Sequence, residues 1–313
     1  DERYDVVTTD PVHPAAAGSA ELYTVEHYRL VSSRLAEDGI ACQWLPLYEL
    51  STDDVRGVLR TFAAVFHTAV FVAGPDLVIL GSKSPFAIDP DAMDARITGR
   101  VADGLRPLGL ASSSRLLGLL LADPDRTARL GGEGPLNTDD RPVLEFSSAR
   151  SQYTGSSTEN LAWLGFAPSP PSSILSRGSR DPTGFAAGLE RSRRLRRAMG
   201  RWMEGGEAAH RRALASFEGL ASEDPADALS ATMREELRLS LARDALGVGE
   251  PEQAIALARE VLSGTAAEDR QRLGAAEVLH GAGLVEEARG IASELLSRMP
   301  RSERARRLTA GSR

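Results

Sequence analysis

The run Tyr4–Asp5–Val6–Val7–Thr8–Thr9 is short, rich in β-branched residues and stopped by Asp10–Pro11, which predicts a buried strand. A loop of Pro, Gly and Ala carries the chain to Gly18. From Leu22 to Leu35 the apolar positions Tyr23, Leu30, Val31 and Leu35 approximate a helical stripe, closed by Asp38–Gly39. Ile40 to Leu45 predicts a second strand. Ser51–Thr52–Asp53–Asp54 has the form of a capping box and opens a helix to about Phe66. Ala69–Val72 and Leu77–Leu80 flank Gly74–Pro75–Asp76, the spacing of a β-hairpin. Helical segments follow through residues 85–146.

Strands alternating with helices predict an α/β fold on a mostly parallel sheet, and a terminal hairpin adds an antiparallel edge strand. Residues 1–146 therefore read as the C-terminal half of a Rossmann-like, methyltransferase-type sheet. Residues 147–184 are dominated by Ser, Pro, Gly and Arg, with Pro168, Pro170 and Pro171 close together, and predict a linker that buries little apolar surface. Trp163 and Phe166 are its candidates for docking onto a neighbour. Residues 185–313 predict an all-α repeat region. Ala254, Ala258, Glu260 and Leu262 recur 34 residues later as Ala288, Ala292, Glu294 and Leu296, and Gly249 recurs as Gly283. That period, with small residues at helix crossings, resembles tetratricopeptide repeats, and repeats of this kind imply a protein partner.

Composition narrows the function classes. The net charge of −7 and pI near 5.4 argue against a wholly basic nucleic-acid binder. Cys42 is the single cysteine, so an intramolecular disulfide framework is ruled out. No stretch reaches the roughly 18 apolar residues of a membrane span, the densest run being Leu116 to Ala122. Lys83 is the single lysine among 37 basic residues, a bias ascribed to a GC-rich bacterial genome. The chain opens on Asp1 and enters a strand within four residues, so its start is expected to be a cut in a longer protein.

Asp10 is the first candidate for chemistry, because open parallel sheets bind ligands beyond the carboxyl ends of their strands. It serves equally well as a turn-former. His13 reads either as a base near neutral pH or as a loop residue bonded to backbone. Asp139 and Asp140 read as a carboxylate pair or as caps of a turn with Arg141–Pro142. Gly131–Gly132–Glu133–Gly134 has no strand before it and no helix after it, so it is not a dinucleotide loop. His13, His27, His67, His210 and His280 show no metal-ligand spacing, and no metal is expected. Arg191, Arg193, Arg194, Arg196, Arg197 and Arg201 form a basic stripe, read as solvated helix or as a surface for anionic lipid or nucleic acid.

Several motifs occur in order: Tyr4 to Pro11, His13–Pro14–Ala15, Glu21–Leu22–Tyr23–Thr24 with Glu26 and Tyr28, Asp38–Gly39–Ile40, Gln43–Trp44–Leu45, Thr61–Phe62, and Asn137 to Phe146. Together they resemble the spermidine and spermine synthases, the polyamine aminopropyltransferases, and especially divergent bacterial members fused to membrane segments. The resemblance spans about residues 3–150. It implies aminopropyl transfer from decarboxylated S-adenosylmethionine to putrescine or a similar small-molecule amine, without metal. It places Asp10 on the catalytic aspartate, with His13 beside it, and Pro14, Ala15 and Leu22 near the adenine pocket. Tyr23, Asp139 and Asp140 become the expected contacts to the acceptor amine. A homodimer is implied as well, and a location in the cytoplasm or at the cytoplasmic face of the inner membrane.

Two departures stand out. His13 occupies the place of a second aspartate in the loop, which removes one anchor for a cationic amine. The glycine-rich loop and the ribose-binding acid of the cofactor half are expected upstream of Asp1, so activity is expected of the longer parent and not of this chain alone. The alternatives are an S-adenosylmethionine-dependent methyltransferase on the same sheet, or a non-catalytic module whose repeats recruit a partner.

Overall fold

The computed structural model describes residues 2–9, 12–16, 18–73, 76–151, 155–164, 169–225, 227–264 and 267–310. The fold is mixed α/β. In chain order the first elements are β1 (Tyr4–Thr9), α1 (Val25–Arg34), β2 (Leu35–Pro46), α2 (Thr52–Ala63), β3 (His67–Ala73) and β4 (Asp76–Ser82). Next come α3 (Pro90–Arg96), α4 (Gly99–Leu105), α5 (Ser113–Leu117), β5 (Leu120–Ala122), α6 (Pro124–Gly131), α7 (Val143–Ser151), α8 (Ser157–Leu164) and α9 (Pro182–Glu204). The rest is helical: α10 (Glu207–Glu223), α11 (Ala228–Gly247), α12 (Pro251–Ser263), α13 (Asp269–Gly281), α14 (Val285–Arg298) and α15 (Glu303–Ala310). Among the described residues no helix is long and apolar enough to cross a membrane.

The chain divides into two compact units, Asp1–Thr98 with Ser112–Arg196, and Gly99–Ala111 with Arg197–Arg313. The short insertion 99–111 thus belongs with the C-terminal helices, a division that no linear reading of the sequence contained.

In the first unit the five strands run in the order β1-β2-β4-β3-β5. β1 and β2 are parallel, and the β3–β4 hairpin returns so that β4, antiparallel to both neighbours, lies between β2 and β3. The core lies between α2 and the sheet. Val55, Val58, Leu59 and Phe62 recur at helical spacing and are buried against Tyr23, Tyr28, Leu45 and Ile79. Each such side chain contributes about 1.5–3 kcal/mol. Tyr28, Phe62 and Phe66 form a ladder of rings with 4.9 Å between successive centroids along Tyr28–Phe62–Phe66. Gly81 lies beneath it, where a Cβ would stand 2.6 Å from the Phe62 ring. The expected capping box is present, Ser51 and Asp54 each bonding the other's backbone N–H.

Two local expectations are corrected. Asp38–Gly39 does not close the first helix: α1 ends at Arg34 and both residues lie inside β2. The register to β1 shifts between Tyr4↔Leu35 and Val6↔Ile40, and a Cβ on Gly39 would meet the Tyr4 carbonyl at 2.9 Å. Glycine here admits a bulge and does not end a helix.

The stretch 147–184, expected to be a linker, carries the end of α7, all of α8 and the start of α9. It is fastened by polar side chains. The buried Asn160 amide donates to the carbonyls of Leu47 (2.9 Å) and Leu50 (2.8 Å), and Ser156 Oγ accepts the Leu50 N–H at 3.1 Å. Trp163 lies under the Arg56 guanidinium at 5.1 Å, and Phe166 falls outside the described residues. Of the arginine stripe of α9, Arg196 is buried and donates to the Leu120 carbonyl, Arg191, Arg193, Arg194 and Arg197 are half-buried, and Arg201 is exposed.

The second unit repeats its own geometry. Ala254 and Ala258 of α12 are fully buried, as are Ala288 and Ala292 of α14. Gly249 and Gly283 both take left-handed backbone, φ +82° and +89°, in the turns before those helices.

Candidate functional site

β1 and β2 are parallel, so their carboxyl ends open on one edge of the sheet. Thr9, the last residue of β1, pairs with Gln43 of β2. Asp10, the expected catalytic carboxylate, and Pro11 lie outside the described residues. The loop just beyond them is tied down. Ala16 N–H donates to the His13 carbonyl at 2.9 Å, Pro14 is buried and Ala15 is half-buried.

His13 spends both ring nitrogens on backbone. Nδ1 accepts the Ala15 N–H at 3.1 Å, which places the ring proton on Nε2, and Nε2–H donates to the Tyr48 carbonyl at 3.2 Å. In this arrangement neither nitrogen is open to take a proton from a substrate. Of the two readings of His13, the geometry favours the loop residue.

Tyr23, expected on the acceptor amine, is wholly buried, and its hydroxyl donates to the Val12 carbonyl at 2.7 Å. Burial first, and Tyr48 second, hold its phenol far above the ordinary range, so it stays a donor. Its ring has no face for a substrate; it anchors the loop from below.

The same edge holds residues outside the expected site. Asp76 opens β4 and pairs with Pro46 of β2, while Trp44 pairs with Val78 two places along. Trp44, Asp76 and Val78 all fall on the half-buried face of the sheet, alternating with the buried Leu45, Leu77 and Ile79. The Trp44 indole faces the Asp76 carboxylate, whose Oδ1 is buried without a partner. Burial raises the Asp76 carboxyl above the usual range, and the indole opposes that rise. The Trp44 and Tyr48 rings meet edge-on at 6.4 Å, and Tyr48 also faces His13 at 5.4 Å. The Tyr48 hydroxyl is raised by burial, then by Asp76, then by Glu49. Glu49, at φ +56°, is the one non-glycine with left-handed backbone among the described residues. Gln43, 1% exposed, donates through Nε2 to the Trp44 carbonyl at 2.9 Å, and its Oε1 has no partner. Cys42, on the same strand, is half-buried with its thiol raised by burial.

Leu22 and Asp139 come together elsewhere. They line an open cleft of about 570 Å³ with Glu21, Glu26, His27 and Glu145, and none of His13, Trp44, Tyr48 or Asp76 lines it. Asp139 and Asp140 are exposed at the tip of a turn closed by Thr138 and Arg141, each bonding the other's backbone. The Asp139 N–H donates to Glu26 Oε2 at 3.1 Å. Asp140 borders a separate groove with Phe146 and Arg150. The turn-capping reading fits this geometry, and the pair does not converge on one ligand. Burial lowers the His27 imidazole, with Asp139 opposing it.

Asn137 fixes the position of this turn. Its Nδ2 donates to the Ala20 carbonyl and its Oδ1 accepts the Leu144 N–H, both at 3.1 Å. Its backbone bonds Thr61 Oγ1 (3.0 Å) and the Val25 N–H (2.9 Å). The glycine run 131–134 wraps a cation: Arg60 donates to the carbonyls of Gly131, Glu133 and Pro135. Carbonyls facing a guanidinium are the reverse of a phosphate cradle, which needs N–H groups. Compared with protein-family models and with curated proteins, the chain finds no match.

Proposed function

We propose that this chain carries the second half of a spermidine-synthase-like transferase, which moves an aminopropyl group from decarboxylated S-adenosylmethionine to an amine. The observation that carries the reading is the chemistry of the sheet edge at the ends of β1 and β2. It offers a buried acceptor without a donor, Asp76 Oδ1, beside the rings of Trp44 and Tyr48. An alkylammonium supplies what such an edge lacks. A parallel pair followed by an antiparallel hairpin, with helices between, is also what the second half of a Rossmann-like sheet requires.

An alkylammonium has a pKa of about 10.4 in water, so the acceptor nitrogen must lose a proton before it attacks. Asp10, the residue that follows Thr9 in sequence, is the group assigned to orient that nitrogen and take the proton. The nitrogen forms its bond to the propyl carbon as the carbon–sulfur bond breaks, and the electron pair leaves on sulfur as methylthioadenosine. Pro14 and Ala15 offer a small, partly apolar surface for a flat ring. Leu22 lines the other cleft and lends less to that role.

The helical unit is proposed to be a short tetratricopeptide-like array that binds a protein partner, in a protein of the cytoplasm or the cytoplasmic membrane face. A second reading, a non-catalytic platform carrying those repeats, is favoured by one observation: both His13 nitrogens are taken by backbone. Incubating the protein that contains this chain with decarboxylated S-adenosylmethionine and putrescine separates the two. The transferase reading expects spermidine and methylthioadenosine in equal amounts; neither product from folded protein supports the platform.

A further inference from the structure

We propose that Asp76, framed by Trp44 and Tyr48, is a binding subsite for a protonated alkylamine and selects charged over neutral acceptors. The inference rests on the transferase reading for its place in a reaction, and on geometry for the site itself.

Three features of the Asp76 environment lead to it. The Trp44 indole faces its carboxylate, and its Oδ1 is removed from water with no donor to satisfy it. A buried acceptor left unpaired costs about 1–3 kcal/mol, so the site is built around a donor the chain does not supply. Trp44 and Tyr48 stand edge-on at 6.4 Å beside it, and ring faces attract a cation more than a neutral hydroxyl. Asp76 forms no ion pair with any Arg or Lys among the described residues. The position matters as much. β4 runs antiparallel to β2, so its first residue lies level with Pro46 at the carboxyl end of β2, on the edge where open sheets hold ligands.

The test uses the full chain, ¹⁵N-labelled, with the Trp44 indole N–H resonance assigned through Trp44→Phe. Putrescine, propylamine and the uncharged 1-butanol are titrated in turn. Putrescine and propylamine should shift the Trp44 indole resonance, and butanol should not. Asp76→Asn keeps the shape and the acceptor for Trp44; it should weaken the amine Kd by about tenfold or more, one full charge-assisted hydrogen bond being worth that much. Tyr48→Leu, at an exposed ring, should weaken it by a smaller factor. An unchanged Kd in Asp76→Asn, an equal response to butanol, or no amine effect at Trp44 in the wild type would each overturn the subsite. Turnover distinguishes this from the parent reading. Aminopropyl transfer with an unaltered amine KM in Asp76→Asn removes the subsite and leaves the transferase standing. Amine binding at Trp44 without any transfer does the opposite.

Discussion

Asn137→Ala should destabilise the sheet unit by about 3 kcal/mol. The residue is 4% exposed, and its amide ties together two backbone groups, the Ala20 carbonyl and the Leu144 N–H. Alanine removes both bonds, and a loss of about 1.5 kcal/mol for each, in the lower half of the usual range after partial relaxation, gives that sum. The bonds of the Asn137 backbone survive, so the turn keeps its attachment to Thr61 and Val25. For a unit of this size about 2–4 °C is lost per kcal/mol, which gives a Tm drop of roughly 6–12 °C. The assay is urea unfolding followed by fluorescence in a Trp202→Phe background, where the reporters Trp44 and Trp163 both lie in the sheet unit. Asp139→Ala, two residues on at an exposed turn tip, is the control and should stay within about 0.5 kcal/mol. A loss below about 1 kcal/mol in Asn137→Ala, or an equal loss in Asp139→Ala, would refute the idea that Asn137 is the clamp of this motif.

Three further outcomes follow from the same structure. The Asp76 carboxyl is raised in the folded state, so its ionisation opposes folding, and stability falls as pH rises from its unfolded value near 3.9 through the folded one. Urea melts should therefore show Asp76→Asn gaining on the wild type between pH 3 and pH 7. For His27 the shift is downward, so the neutral ring favours the fold and stability is lost as pH falls below about 6.5; His27→Gln should flatten that acid limb. In the helical unit, Gly283→Ala should cost about 1 kcal/mol because its φ of +89° strains any side chain. Gly290→Ala, inside α14 with open space around it, should gain about 0.5–1 kcal/mol in the same thermal melt.

What the sequence made legible was local. The first strand, the capping box at Ser51 and the hairpin around residues 69–80 are written in periodicity and turn chemistry, and each forms in its expected place, although the first strand is a mostly exposed sheet edge and not the buried strand expected. Gly39 misled because a glycine after a polar residue reads as a helix stop, whereas its use depends on how close Tyr4 comes from another strand. The stretch 147–184 misled for a different reason. Its Ser, Pro and Gly outweigh a few apolar anchors, Leu164 and Ile174, which are buried, and Asn160 and Ser156 add hydrogen bonds to Leu47 and Leu50, which hydrophobicity does not count.

The candidate site divides in the same way. His13 was visible as a departure, and both of its meanings were open until Tyr48 and Ala15 were seen to hold it. Asp76 was not visible, because an acid after Gly74–Pro75 looks like any turn residue. Its burial follows from β4 lying beside β2, a pairing set by strand order and not by neighbours in sequence.

The central claim is that Asp10 drives transfer to an amine, and one comparison tests it most directly. Methylthioadenosine release from decarboxylated S-adenosylmethionine is measured with putrescine for the protein containing this chain and for its Asp10→Asn variant. The account predicts amine-dependent release by the wild type and loss of at least about a hundredfold in the variant, the usual contribution of a positioned base. Release that is independent of amine, or undiminished in Asp10→Asn, would contradict it.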